Sequence, residues 1–250
     1  MLRASIVPVS SLQEFQLDGM WKLFESYYAD IEHNRFLSDL YAKDSVILIT
    51  AGKEIAGFST LKTYDREIGN RHVKVIYSGD TIVHRAYWGQ TVLQKTFFSF
   101  LVSTYLKNPT KDVYWFLISK GYKTYCLLSR NFPNYWPRHD AATPAFETEL
   151  LGDLATDMFG DSWKPELGVL KFEESLGSLK GNVAPITDDA RKFADIRFFE
   201  QINAGHAQGD ELCCLGKIDA QLMWSYPKKL VSRSLAALKQ RSGYAIPALR

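Results

Sequence analysis

One stretch constrains this chain more than any other. It holds an apolar strand with a glycine inside it, a turn, a long apolar helix and a second apolar strand, in that order. Val73 to Val83 reads as a strand, and Ser78-Gly79 interrupts it. Glycine in a strand interior marks a bulge, or a close approach by another backbone or a ligand. His84 to Gln90 is turn-like. Thr91 to Leu106 then reads as a helix with Val92, Leu93, Phe97, Phe98, Leu101, Val102 and Tyr105 on one stripe. Asn108-Pro109 stops it, and Val113 to Ile118 has the unbroken apolar character of a buried strand. A further helix is expected from near Ser119 towards Arg130. Together these make a βαβ unit.

The segments on either side fit around that unit. Leu12 to Tyr28 and Arg35 to Lys43 have helical spacing. Ser45 to Ala51, the turn Gly52-Lys53 and Glu54 to Tyr64 form a hairpin signal, with Gly52 suited to a type II′ turn. Asp65 to Arg71 is expected to be a charged loop. Beyond Asn131 the pattern weakens. Ala141 to Asp157 reads as helix and Val169 to Phe172 as a short strand. Asp188 to Asn203 reads as helix capped by Thr187 or Asp188, and Glu211 to Ile218 as a last strand. The expected organisation is a core over 1–140 and a helical extension over 141–250 that returns one strand, about 211–218, to the core sheet.

Composition narrows the function classes. With 46% apolar and 23% charged residues among 250, the chain can bury a large core without disulfides or metal. A net charge of +2 argues against a dedicated nucleic-acid binder. The longest apolar runs fall far short of a membrane span. No apolar h-region lies between Arg3 and Pro8, and the cysteines Cys126, Cys213 and Cys214 are odd in number and lack C-x-x-C spacing. A cytoplasmic, metal-free protein is expected. No serine-hydrolase elbow, P-loop, H-E-x-x-H or full G-x-G-x-x-G occurs.

A helix opening directly after a strand offers free N–H groups and a positive dipole end to phosphate. Here Trp88-Gly89-Gln90-Thr91-Val92-Leu93 opens the long helix five residues after Val83. This resembles the pyrophosphate-binding segment of the GNAT superfamily of acyltransferases, a valine followed by R/Q-x-x-G-x-G/A. Trp88 stands at the basic position, Thr91 and Leu93 at the later glycines, and Gly89 is the one glycine the segment carries. The segment from Gly52 to Phe58 resembles the family's second hairpin, and Gly79 falls where the family has a bulge that splays two parallel strands.

The resemblance covers roughly Met20 to Phe132. It implies an α/β fold with a GNAT-like mixed twisted sheet flanked by helices, here with an enlarged C-terminal portion. It implies transfer of an acyl group from a pantetheine thioester, acyl-CoA or a phosphopantetheine-bound acyl group on an acyl carrier protein, to an amine of a small molecule or peptide. The pantetheine arm would enter the splay as a pseudo-strand. Val83 and residues 88–93 would bind the carrier, and Tyr125, or its neighbour Tyr122, would protonate the departing thiolate. Asp80 and His84 are the candidate bases. A core role competes for Tyr125, a solvated one for Asp80, and an unrelated activity around His206 and Asp210 is a further reading. A GNAT-shaped scaffold without catalysis is the alternative, favoured by the missing glycines and the absence of an obvious glutamate base. From Gly216 to Arg250 seven basic residues face one acid. A helix after Pro227 with Lys228, Lys229 and Arg233 would suit an acidic partner such as a carrier protein.

Overall fold

The β-branched and aromatic runs pair as the periodicity implies. In this computed structural model, residues 2–172, 178–179 and 186–225 are described. The basic helix expected after Pro227 lies outside them. Strands β1 (Leu2–Pro8), β3 (Ser45–Ala51), β4 (Glu54–Ile68), β5 (Arg71–Val83), β6 (Asp112–Ser119) and β11 (Glu211–Ile218) form the body of one sheet in the order β1-β3-β4-β5-β6-β11. The two-residue strands β9 (Val169–Leu170) and β8 (Trp163–Lys164) extend it, and β7 (Tyr135–Trp136) also pairs with β11. β10 (Ser178–Leu179) pairs separately with β2 (Tyr28–Ala29). Among the described strands only β5 and β6 run parallel, joined by helix α3 (Val92–Lys107). This is the expected mixed sheet flanked by helices, and β11 returns to it antiparallel to β6.

Alternation along the strands sorts the core into two faces. On one, Ile76, Trp115 and Leu117 meet α3, α4 (Tyr122–Ser129) and α7 (Ala194–Ile202) through Leu101, Tyr125, Leu128 and Phe199. On the other, Val75, Tyr77, Tyr114 and Phe116 meet Leu150, Leu151 and Leu154 of α5 (Ala145–Phe159). Helices α1 (Glu14–Tyr27) and α2 (His33–Tyr41) cover β3 and β4 on that same side, where Lys43 lies 5.7 Å above the Tyr77 ring.

Two expectations need correction. Asp65 to Ile68 is strand, not loop, because its charges find partners on neighbouring elements. Asp65 meets Lys74 and Lys111, while Arg66 meets Asp153 and Asp157 on α5. The reversal is the two-residue turn Gly69-Asn70, with Gly69 at φ +57°. The helix expected over Asp188 to Asn203 breaks into α6 (Asp188–Arg191) and α7, because Phe193 is extended. Thr187 is the N-cap, accepting from the Ala190 N–H.

The β4–β5 ladder leaves no space beside Gly57. An added Cβ would stand 2.8 Å from the Ile82 carbonyl oxygen and 3.2 Å from Val83 Cα. Gly57→Ala should therefore cost about 1–3 kcal/mol, as other overpacked sites do, read as a lower urea midpoint at unchanged slope. An unshifted midpoint would show that the ladder yields freely.

Candidate active site at a splayed strand pair

The site begins with one surplus residue. Ser59 pairs with Thr81, but Leu61 pairs with Ser78, so β5 uses three steps where β4 uses two. This is a bulge at Gly79-Asp80, where the interior glycine signalled it. The pairing of β5 with β6 ends at Ser78–Leu117, whereas β5 continues beside β4 to Val83 and β6 stays paired with β11 to Ser119–Leu212. The two parallel strands therefore part beyond Ser78. On the α3 face, the Trp115 indole N–H donates to Ser78 Oγ at 2.8 Å and pins the fork. Gly79 is needed because a Cβ there would stand 2.6 Å from Thr60 Oγ1 and 3.2 Å from Lys43 Cε.

Asp80 stands at the fork, half-buried, and burial lifts its carboxyl to about 7, with the Asp39 charge adding to the lift and Lys43 opposing it. Among the described residues no hydrogen bond or ion pair engages it. Around it are groups that sequence reasoning missed. Lys43, buried, pairs with Asp39 at 2.7 Å. Lys120 pairs with Glu211 at 3.4 Å and lies 5.9 Å over the Tyr28 ring. Burial pushes Glu211 upward against the pull of Lys120, and burial also holds the Tyr28 and Tyr77 phenols well above their usual range. Thr60 Oγ1 is buried without a partner. These residues are scattered from 28 to 211, so no motif marks them.

At the other end of the fork, the strand-to-helix turn bounds a cleft of about 210 Å³ lined by Val83, Trp88, Gly89, Gln90, Val92 and Leu93, together with Leu2, Ile49, Tyr87 and Gln94. Six of the seven expected carrier-binding residues thus share one cleft. Thr91 is the N-cap of α3 and makes no side-chain cap, and no acid occupies the first turn. That leaves the dipole end uncancelled. Gly89 is required by its φ of +84°, not by crowding, since nothing lies within 4 Å of a Cβ there. The Trp88 indole N–H donates to the Val83 carbonyl at 2.7 Å. Arg85 and Lys123 each lie 5.4 Å from its ring.

The remaining candidates are engaged elsewhere. Tyr125 is a core residue, 0% exposed, whose hydroxyl donates to the Pro137 carbonyl at 3.0 Å. Burial drives its phenol far above the usual range, so it is a poorer acid than a free tyrosine. Tyr122, at the first turn of α4, is only half-buried. His84 is exposed and its Nδ1 accepts from the Ala86 N–H at 3.3 Å, capping the turn Arg85–Tyr87. His206 bonds the Asn203 carbonyl, and Asp210 pairs with Lys171. Among the described residues, no three His, Cys, Asp or Glu side chains stand close enough to hold a metal. No described helix is long and apolar enough to cross a membrane.

No protein-family model matches this chain, and no curated protein does. Solved structures similar to part of it include an aminoglycoside acetyltransferase from an uncultured soil metagenomic sample, in complex with sisomicin. It is 14% identical over 58% of this chain and 95% of that chain, with a TM-score of 0.37. ElaA from Escherichia coli is 20% identical over 55% and 93%, with a TM-score of 0.37. Glucosamine-6-phosphate N-acetyltransferase from Arabidopsis thaliana is 14% identical over 47% and 81%, with a TM-score of 0.34.

Two outcomes follow from these environments. Tyr125→Phe should lower stability by about 0.5–1.5 kcal/mol, the worth of one buried hydrogen bond, with any turnover unchanged. A fall of about 10²-fold would return Tyr125 to the chemistry. Asp80 binds its proton more tightly folded than unfolded, so its contribution to stability is present below the ordinary carboxylate range. That contribution is lost as pH rises through about 7. Asp80→Asn should therefore raise the Tm at pH 8, with the gain shrinking towards pH 5. An equal shift at both values would contradict the lifted carboxyl.

Proposed function

We propose that this protein transfers an acyl group from a pantetheine thioester, acyl-CoA, to a primary amine. The observation that supports this most is the fork itself. Two parallel strands part at a bulge, and an unengaged carboxyl sits at the opening. An extended arm entering the fork would lie beside β5, with its phosphates near the first turn of α3. The open helix end suits an anionic group, and the cleft lies beside it. No geometry for the bound arm is implied.

In this reading Asp80 takes a proton from the acceptor ammonium, and the amine attacks the thioester carbonyl. A backbone N–H of the bulged strand stabilises the developing oxyanion. The C–S bond then breaks, Tyr122 in place of Tyr125 donates a proton to the thiolate, and the proton still on the attacking nitrogen is released to restore Tyr122. A carboxyl lifted to about 7 is matched to proton transfer near neutral pH.

The second reading, a GNAT-shaped protein that binds a ligand without catalysis, draws on Trp88. Its indole already occupies the Val83 carbonyl at the strand end. Calorimetric titration with coenzyme A and acetyl-CoA, followed by turnover of an amine panel, separates the two. Asp80→Asn should leave coenzyme A affinity unchanged and lower turnover by about 10²–10⁴-fold. Gly89→Val, strained at positive φ, should weaken coenzyme A binding. Binding without turnover would favour the scaffold, and no binding would remove both readings.

A further inference from the structure

Beyond the bulge, β5 has backbone groups that no neighbouring strand takes up. The His84 N–H donates to the Ala56 carbonyl at 2.8 Å, so these two residues form a hydrogen-bonded pair. The next pair along, Val83 with Gly57, is then of the non-hydrogen-bonded kind, and so is Thr81 with Ser59. The N–H and C=O groups of Thr81 and Val83 therefore point away from β4, to the side that β6 leaves beyond Ser78. Among the described residues no strand pairs with β5 on that side.

One of these groups is taken by a side chain from the turn that follows. The Trp88 indole N–H donates to the Val83 carbonyl at 2.7 Å. A second indole in the fork, that of Trp115, donates to Ser78 Oγ at 2.8 Å, but the two rings are held very differently. Trp115 is 5% exposed and packs on Phe97 and Phe132. Trp88 is 44% exposed, with Arg85 and Lys123 each 5.4 Å from its ring. It shares with Val83 the wall of a cleft of about 210 Å³, so there is room beside it. Trp115 is built into the core, whereas Trp88 is held by a hydrogen bond and by cation–π attraction, both modest.

An extended chain that adds to a strand edge pairs its own N–H and C=O groups with those of the edge. Beside β5 its amide N–H would compete with the Trp88 indole for the Val83 carbonyl. We infer that Trp88 is a displaceable latch on this edge, turned out by an extended, amide-bearing ligand before that ligand can pair as far as Val83; this rests on the acyl-transfer reading. The exchange is balanced. The indole–carbonyl bond breaks, a ligand amide N–H takes the carbonyl, and the indole N–H passes to water. The latch lowers apparent affinity, because only the fraction of free protein with the edge open can bind. It also discriminates, since a ligand with no amide at that level has nothing to give the carbonyl and leaves Trp88 in place.

The test titrates the wild-type protein and Trp88→Phe, which keeps a ring and loses the donor, with coenzyme A and with ADP by calorimetry. Folding is checked by thermal melting. Trp88→Phe should bind coenzyme A about three- to tenfold tighter, because one competing hydrogen bond is gone. ADP, which has phosphates and no amide-bearing arm, should gain nothing. In the wild-type protein, hydrogen exchange at the assigned Trp88 indole resonance should speed up at least about tenfold when coenzyme A saturates the site. The Trp115 indole, bonded to Ser78, should stay protected throughout. Coenzyme A binding that is equal or weaker in Trp88→Phe would overturn the latch and leave the acyl-transfer reading standing. So would a Trp88 indole still protected in the complex, or an equal gain for ADP. Binding to Trp88→Phe alone would show the latch shut in the wild-type protein and support the inference. No coenzyme A binding to either protein would overturn the acyl-transfer reading, and the latch would fall with it.

Discussion

The rest of the molecule depends on the extra residue that β5 carries between Ser78 and Thr81. A strand in a sheet interior must satisfy neighbours on both sides, and a surplus residue lets it keep only one. β5 stays with β4, so it leaves β6. The bulge also changes which side chains face which way. Before it, Val73, Val75 and Tyr77 face α5; after it, Ile82 joins the cluster under α1 and α2. Thus one insertion opens the sheet, turns Asp80 into the opening and lets Lys43 and Thr60 crowd over Gly79.

A fork that opened along its whole length would not hold a site. The far end is held by charge: Arg71 at the start of β5 and Lys217 near the end of β11 both meet Asp112 at the start of β6. Midway, the Trp115–Ser78 bond ties the strands again. The aromatic packing of Trp115 with Phe97 and Phe132, and of Phe116 with Tyr77 and Phe159, stiffens both faces. Against this frame, ion pairs drawn from the ends of α2, β6 and β11 can be carried largely buried, although burial makes each charge costly by several kcal/mol. The site is destabilising locally and tolerable because its surroundings are rigid.

What was legible in the sequence was periodic or punctuated. Alternation marks the strands, Gly79 marks the bulge, and the order of elements marks the parallel pair and the start of α3 beyond the end of β5 at Val83. What was not legible depended on distant partners. Asp65 and Arg66 look like loop residues until Lys74, Lys111 and α5 neutralise them. An acid role for Tyr125 rests on the resemblance alone, and nothing local in the sequence shows that its hydroxyl donates to the Pro137 carbonyl. Lys43, Lys120 and Glu211 carry no motif; each merely borders an apolar run. Only the sheet order, with β11 beside β6 and α2 over β5, brings them to one point.

The departure at Trp88 has its own physical logic. A basic residue at the start of α3 would fix one charge beside the helix dipole. Tryptophan instead fixes a ring, held by its indole bond to the Val83 carbonyl. Over that ring lie Arg85, three residues earlier, and Lys123, from the first turn of α4. Cation–π attraction of about 0.5–1 kcal/mol at an exposed ring biases such side chains without locking them. The positive field at this end is therefore shared by two side chains from separate elements and by the uncapped amides of α3, and the ring couples them. Coupling of this kind ties the position of α4 to the end of β5, so the two sides of the fork are linked at its open end by an aromatic platform where the backbone ladder is missing.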